Sequence, residues 1–311
     1  MLGLLLLAFL LWRIDVTRLA AVLRQARPSL LLAAVLLNLP QIAVKALRWR
    51  GLLKAHDIQY GARNSLLSYF GSIFIGLLTP GRLGEFVKAL HVKEDCGVST
   101  ARALSSVLVD RLFDLYALLL FGGAALLSTA HSRSGVWMLV ESAAVLVLPL
   151  FVLLNNRAFE WCRRLAIRIG KWTAKLVREE SWLMELRAYL KSLNGRSVAS
   201  AVILTAIAYF LFFTQCYLLA LSLDLGVGPL PVSFAVALGS LVTLIPISIS
   251  GLGTREAAVM AYLGTAGVAA EKGLGYSLLV FVTFYIAGGL MGAVAWLIKP
   301  VSLKEVKAAQ S

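Results

Sequence analysis

Arg82, Glu85 and Lys88 recur at i, i+3 and i+6 within "LLTPGRLGEFVKAL", residues 77 to 90. This spacing puts Arg82 and Glu85 on one helix face, with Lys88 nearby. An Arg at the start of a short helix, beside backbone N–H groups that no earlier turn uses, suits a phosphate. The stretch directly follows an apolar run. An unpaired charge at mid-bilayer costs about 2.5 to 3.5 kcal/mol even on the gentler insertion scale, so these side chains must pair or bind something. The alternative is that "GRLGE" only caps a cytoplasmic loop helix.

Two further groups share this character. Asp110, Arg111 and Asp114 fall in the otherwise apolar run 104–127, with Asp110 and Asp114 one turn apart on one face that should point into a bundle. An Arg111–Asp114 bridge at i, i+3 and a role in proton coupling or head-group binding both fit. Arg255 and Glu256 follow Gly251 and Gly253 as Arg82 and Glu85 follow Pro80 and Gly81. Lys45, one turn before Trp49, reads as snorkelling to the interface. No Ser/His/Asp set, HExxH or Walker loop is present, so the reading is not an enzyme, although a transferase built on Arg, Asp and Glu stays open.

The elements that must hold these residues are membrane helices. The chain has 311 residues, 59% of them hydrophobic and 15% charged, with a mean hydropathy of +0.83. Such a composition belongs to a polytopic, all-α integral membrane protein, with runs near the ~20 residues that cross a bilayer. Its formal charge of +14 follows from Lys and Arg gathering in cytoplasmic loops and near anionic lipid, and nucleic acid is not expected as a partner. Cys96, Cys162 and Cys216 lie far apart, as do His56, His91 and His131, so neither a disulfide framework nor a metal site is expected. No cofactor is expected either.

Residues 1–12 read as a retained helix and 29–49 as the first full span, with Pro40 tolerated inside it. Arg48, Arg50, Lys54 and Arg63 then face only Asp57, which puts 50–64 in the cytoplasm. Residues 65–79 are too short to cross and stop at Pro80-Gly81. With the helix that follows they predict a re-entrant hairpin. Spans are expected at 104–127 and 136–154. The segment 155–197 carries ten Lys and Arg against four Glu, and includes an amphipathic helix lying on the leaflet or docked on the bundle. A span at 198–221, a second interrupted pair broken at Pro246 and Ser250-Gly251, and a span at 274–297 complete the chain. Arg13, Arg18, Arg24 and Arg27 resist this topology: residues 13–28 either form an interfacial helix outside, or residues 1–12 do not cross.

The two broken pairs are each flanked by spans, and a single extra span separates the units. The expected fold is therefore one domain of two inverted repeats, about 29–127 and 198–298, each with a re-entrant hairpin. Paired Gly/Pro-interrupted segments point to a transporter's midplane site. The breaks would be made at Pro80, Gly81 and Gly84, and at Pro246, Gly251 and Gly253.

"LRWRGLL", "TPGRLGEFVKAL", "DRLFDLYALL" and "ISGLGTREAAVMAYL", in this order and spacing, resemble the lysylphosphatidylglycerol synthase transmembrane, or flippase-like domain, family over roughly residues 20 to 298. Asp110 stands where many relatives carry Glu. The resemblance implies a stand-alone membrane member without the soluble synthase domain. It implies movement of an anionic or zwitterionic lipid across a bacterial inner membrane, the lipid being aminoacylated, polyprenyl-phosphate-linked or another envelope lipid. By the same resemblance function falls on Pro80, Gly81, Arg82, Gly84 and Glu85, on Asp110, Arg111 and Asp114, and on Gly251, Gly253, Arg255 and Glu256. A membrane transferase on lipid-linked substrates, and a scaffold for an envelope-lipid synthase, are the rival expectations. An envelope-lipid synthase and a second copy of the chain are the candidate protein partners.

Overall fold

The computed structural model describes residues 2–79, 83–129, 144, 147–148, 151–169, 181–244, 248 and 250–300. All secondary structure among them is helical. Pro80, Gly81, Arg82 and Pro246, most of the expected span 136–154, and Trp172 and Leu176 of the amphipathic segment lie outside the described residues.

Two short helices open the chain, α1 (Leu2–Arg13) and α2 (Val16–Arg24). Asp15 caps the second by accepting from the Thr17 and Arg18 N–H groups. Next come α3 (Pro28–Leu36) and α4 (Asn38–Ala55). The interruption at Leu37 has a local cause, because Pro40 has no N–H to donate to the Leu36 carbonyl. Together they make one apolar rod, Pro28–Ala55, long enough to cross a membrane. Helix therefore continues past the expected end of the first span at 49, through Arg50 and Lys54.

After it the chain runs through α5 (Ala62–Leu77), a 3₁₀ turn (Leu83–Phe86), α6 (Val87–Cys96) and α7 (Thr100–Thr129). Amphipathic α8 (Asn156–Ile169) and α9 (Ser181–Ser192) follow. The second of these docks on α7. Then come α10 (Gly195–Ser222), α11 (Pro229–Thr243), α12 (Thr254–Thr265), α13 (Ala270–Val280), a π-helical stretch (Phe281–Ala287) and α14 (Gly288–Ile298). Gly195–Ser222 and Ala270–Ile298 are also long and apolar enough to cross a membrane.

Long, short, break, short, long is thus the order in 28–129 and again in 195–298. The packing follows the same pattern. The long α4 and α10 lie against each other, while the first short limb of each unit packs on the last long helix of the other: α5 on α14 and α11 on α7. At the α5–α14 crossing a Cβ on Gly292 would stand 2.4 Å from the Phe70 carbonyl oxygen, so the backbones approach as only small residues permit.

Candidate functional site

The residues of α7 show how the site is built. One turn of helix separates Asp110 from Asp114, so both face the same neighbour, and that neighbour is Arg48. Its Nε donates to Asp110 Oδ1 at 2.9 Å and its Nη1 to Asp114 Oδ1 at 2.9 Å. Nη1 also reaches Thr205 Oγ1 on α10 at 2.9 Å, and Nη2 the Asp110 carbonyl oxygen at 3.1 Å. The second oxygen of Asp110 accepts from Lys88 Nζ at 2.6 Å and from the Tyr69 hydroxyl at 3.2 Å. Lys88 is fully buried, its ammonium 4.0 Å from the Tyr69 ring centroid and 5.0 Å from that of Trp49. Charges taken this far from water persist only where donors and acceptors are matched in this way.

Lys45, one turn before Arg48, pairs with Asp114 Oδ1 at 3.3 Å and stands 5.1 Å from the Tyr209 ring centroid. It turns inward rather than to the interface. Tyr209 in turn donates to the Asp114 carbonyl oxygen at 3.0 Å. The expected Arg111–Asp114 bridge is long, 3.9 Å, and the principal ion pair of Arg111 is with Glu85 of the first break.

The first break is a tight fold of backbone. Thr79 Oγ1 accepts the Gly84 N–H at 2.7 Å after α5 ends at Leu77. A Cβ on Gly84 would lie 2.5 Å from the Ile75 carbonyl oxygen, so the turn needs a residue without one. Glu85 and Lys88 follow on the return limb, both buried.

The second break bends through Ser250, Gly251 and Gly253 at φ of 51°, 73° and 86°. Glu256 folds back to accept the Gly253 N–H at 2.5 Å and pairs with Arg255 on its other side. The guanidinium of Arg255 stacks 5.1 Å from the Phe281 ring centroid and 4.7 Å from that of Tyr285, both in the π-helical stretch. Only Nη2 is engaged with Glu256. Nε and Nη1 are buried and have no hydrogen-bond partner among the described residues, an arrangement that costs free energy unless something else accepts from them.

The two breaks touch: Ser250 Oγ donates to the Leu77 carbonyl oxygen at 2.8 Å. Beneath the contact is a cavity of about 360 Å³ with mostly apolar walls, into which Lys45, Glu85, Arg111, Asp114 and Arg255 project. Including the adjoining Arg48, Lys88, Asp110 and Glu256, the described residues place five cationic side chains against four carboxylates. One positive charge is in excess. Among the described residues no group of three His, Cys, Asp or Glu could hold a metal ion.

Of the residues singled out in the sequence, Glu85, Arg111, Asp114 and Arg255 share this cavity, while Lys88, Asp110 and Glu256 stand behind it as the partners that hold the network together. Gly84, Gly251 and Gly253 lie in the two turns. Arg48 and Lys45 belong to the same cluster and carry no such mark in the sequence reading. Their own spacing held the signal: two cations one turn apart on one apolar helix complement two carboxylates one turn apart on another.

The profile of the family described as "Lysylphosphatidylglycerol synthase TM region" matches residues 1–292. A UPF0104 membrane protein of Pyrococcus horikoshii is 25% identical over 93% of this chain and 94% of its own length. One from Methanocaldococcus jannaschii is 25% identical over 76% of this chain and 98% of its own. The glycosyltransferase AglD of Haloferax volcanii is 25% identical over 83% of this chain, but the match covers only 46% of that protein. These relatives are archaeal, so the expected bacterial inner membrane narrows to membrane protein.

Proposed function

The chain belongs to the lysylphosphatidylglycerol synthase TM region family, and from that premise we propose that it moves an anionic or zwitterionic lipid across its membrane. The observation that carries the reading is the shared cavity. Two broken pairs of short helices, one from each unit, meet at their breaks and contribute Glu85 and Arg255 to one cavity whose walls are otherwise mostly apolar. Discontinuous helices meeting over a site is the arrangement of many secondary transporters. In this reading the two units are inverted repeats, 29–127 and 198–298, and their hairpins are re-entrant from opposite faces.

Arg255 offers Nε and Nη1 to a phosphate oxygen, with Glu256 and the rings of Phe281 and Tyr285 fixing its plane. Lys45 and Arg111 complete the positive side. Glu85 and Asp114 offset the surplus, or take a cationic head group. An anion entering the cavity neutralises the excess positive charge, which lowers the cost of holding that charge in the bilayer.

Reconstitution in liposomes with fluorescent phosphatidylglycerol or polyprenyl phosphate tests the proposal. Protein-dependent movement between leaflets is expected, with loss on Arg255→Ala; equal movement by that variant removes the proposed site.

The similarity to a named glycosyltransferase favours a second reading, a membrane-embedded transferase or the membrane partner of one. That reading predicts product formation from a lipid-linked substrate without translocation, in the same vesicles.

A further inference from the structure

Beside the cavity runs a second, larger hollow of about 590 Å³ between α7, α10 and the start of α11. Its described lining carries no charged side chain. Aromatic rings dominate it: Phe113, Tyr116 and Phe121 from α7 face Phe210, Phe213 and Tyr217 from α10. The rim is apolar and open, with Leu120 64% exposed and Phe210 71% exposed, so the hollow gives onto a flank of the molecule that suits hydrocarbon and not water.

This groove and the charged cavity share a wall. Tyr209 lines both, its hydroxyl bonded to the Asp114 carbonyl oxygen and its ring against Lys45. Thr205 likewise faces the groove while its hydroxyl accepts from Arg48. A polar pocket and an apolar channel separated by one aromatic side chain match the two ends of an amphiphile.

We propose that the groove holds a hydrocarbon chain of the lipid whose head group occupies the cavity, and that the chain leaves the cavity past Tyr209. The occupant is fixed by continuity: the groove adjoins the charged cavity across Tyr209 and opens on an apolar flank, which suits the hydrocarbon end of the amphiphile whose polar end the cavity takes. Rings on both walls give a flexible chain broad contact area without demanding one register. The inference rests on the lipid-transport reading for the identity of the head group, and locates the route by which the tail stays in the bilayer.

Proteoliposomes containing phosphatidylglycerol with a photoactivatable diazirine in one acyl chain test it, with translocation of the same lipid read in parallel. Cross-links are expected to concentrate on Phe121, Phe213 and Tyr217. Ala206→Trp and Ala117→Trp, which fill the groove, should lower both cross-linking and translocation severalfold. Leu290→Trp, at an equally exposed apolar position on α14, should change neither. Cross-links spread evenly over the groove and the Leu290 face, or translocation undiminished by either filling variant, would overturn the groove and leave the transport reading standing. Strong groove labelling without translocation by the unaltered protein would do the reverse.

Discussion

Both breaks carry a glycine pair, an Arg and a Glu in the sequence, and their glutamates are used differently. At the first, charges reach across the fold: Glu85 to Arg111 and Lys88 to Asp110, which Arg48 also holds. At the second, the pairing is local. Glu256 serves the Gly253 N–H and Arg255 within one turn of helix, and two guanidinium nitrogens, Nε and Nη1, are buried without a hydrogen-bond partner among the described residues. The first break is thereby locked to the scaffold, while the second is the one assigned to the lipid phosphate in the proposed function. Similar motifs acquire different roles from what surrounds them.

Arg48→Met attacks this contrast hardest, because it strands Asp110 and Asp114 among the remaining cations. Breaking such a buried set costs about 3 to 5 kcal/mol, so folded protein should be largely lost on thermal unfolding in detergent. A variant as stable as the parent would show that the first region is not scaffold. Gly84→Ala comes next: the added Cβ meets the Ile75 backbone, an overpacking that costs about 1 to 3 kcal/mol. Its unfolding midpoint should drop accordingly, and an unchanged midpoint would mean that the turn yields freely.

Arg255→Lys examines the other side of the contrast. Charge and a donor to Glu256 remain, but the planar fork is gone. Translocation should fall about tenfold, equivalent to about 1.4 kcal/mol, with the unfolding midpoint nearly unchanged; a large loss of stability with intact transport would exchange the roles of the two breaks. The smallest effect lies outside both. His56, against the Tyr189 ring at 4.2 Å and Ser192 Oγ at 3.1 Å, has its pKa lowered by burial and then by Arg102, with Glu185 and Asp57 opposing. A folded state that resists protonation is fully stable above the ordinary His pKa of about 6.5 and loses stability as pH falls below it. A modest decline in the unfolding midpoint between about pH 7 and 5.5 should be reduced in His56→Gln. An identical decline in that variant would assign the acid sensitivity to other groups.

Much of this was legible in the sequence. Hydropathy gave a helical membrane protein, and glycine and proline punctuation gave the breaks near Gly84 and Gly251. The i, i+4 spacing of Asp110 and Asp114 gave their common inward face. Arg48 was hidden because a basic residue after an apolar run ordinarily marks a cytoplasmic loop, and local charge counting cannot see carboxylates 62 positions away. Lys45 was hidden because a lysine near the end of a span, one turn before Trp49, ordinarily snorkels to the interface. The meeting of the breaks through Ser250 and Leu77 is a contact between residues 173 apart, and no local pattern encodes it. The π-helical stretch that sets Phe281 and Tyr285 under Arg255 had no sequence mark beyond its aromatic spacing.

The central claim is a head-group site that both sides of the membrane reach in turn. A single cysteine at Ser240, which lines the cavity, in a chain with Cys96, Cys162 and Cys216 replaced, tests it most directly. With the protein in vesicles of known orientation, a membrane-impermeant thiol reagent should label this position when added to either face, and excess lipid phosphate should protect it from both. Labelling from one face alone would contradict the account and favour a one-sided transferase site.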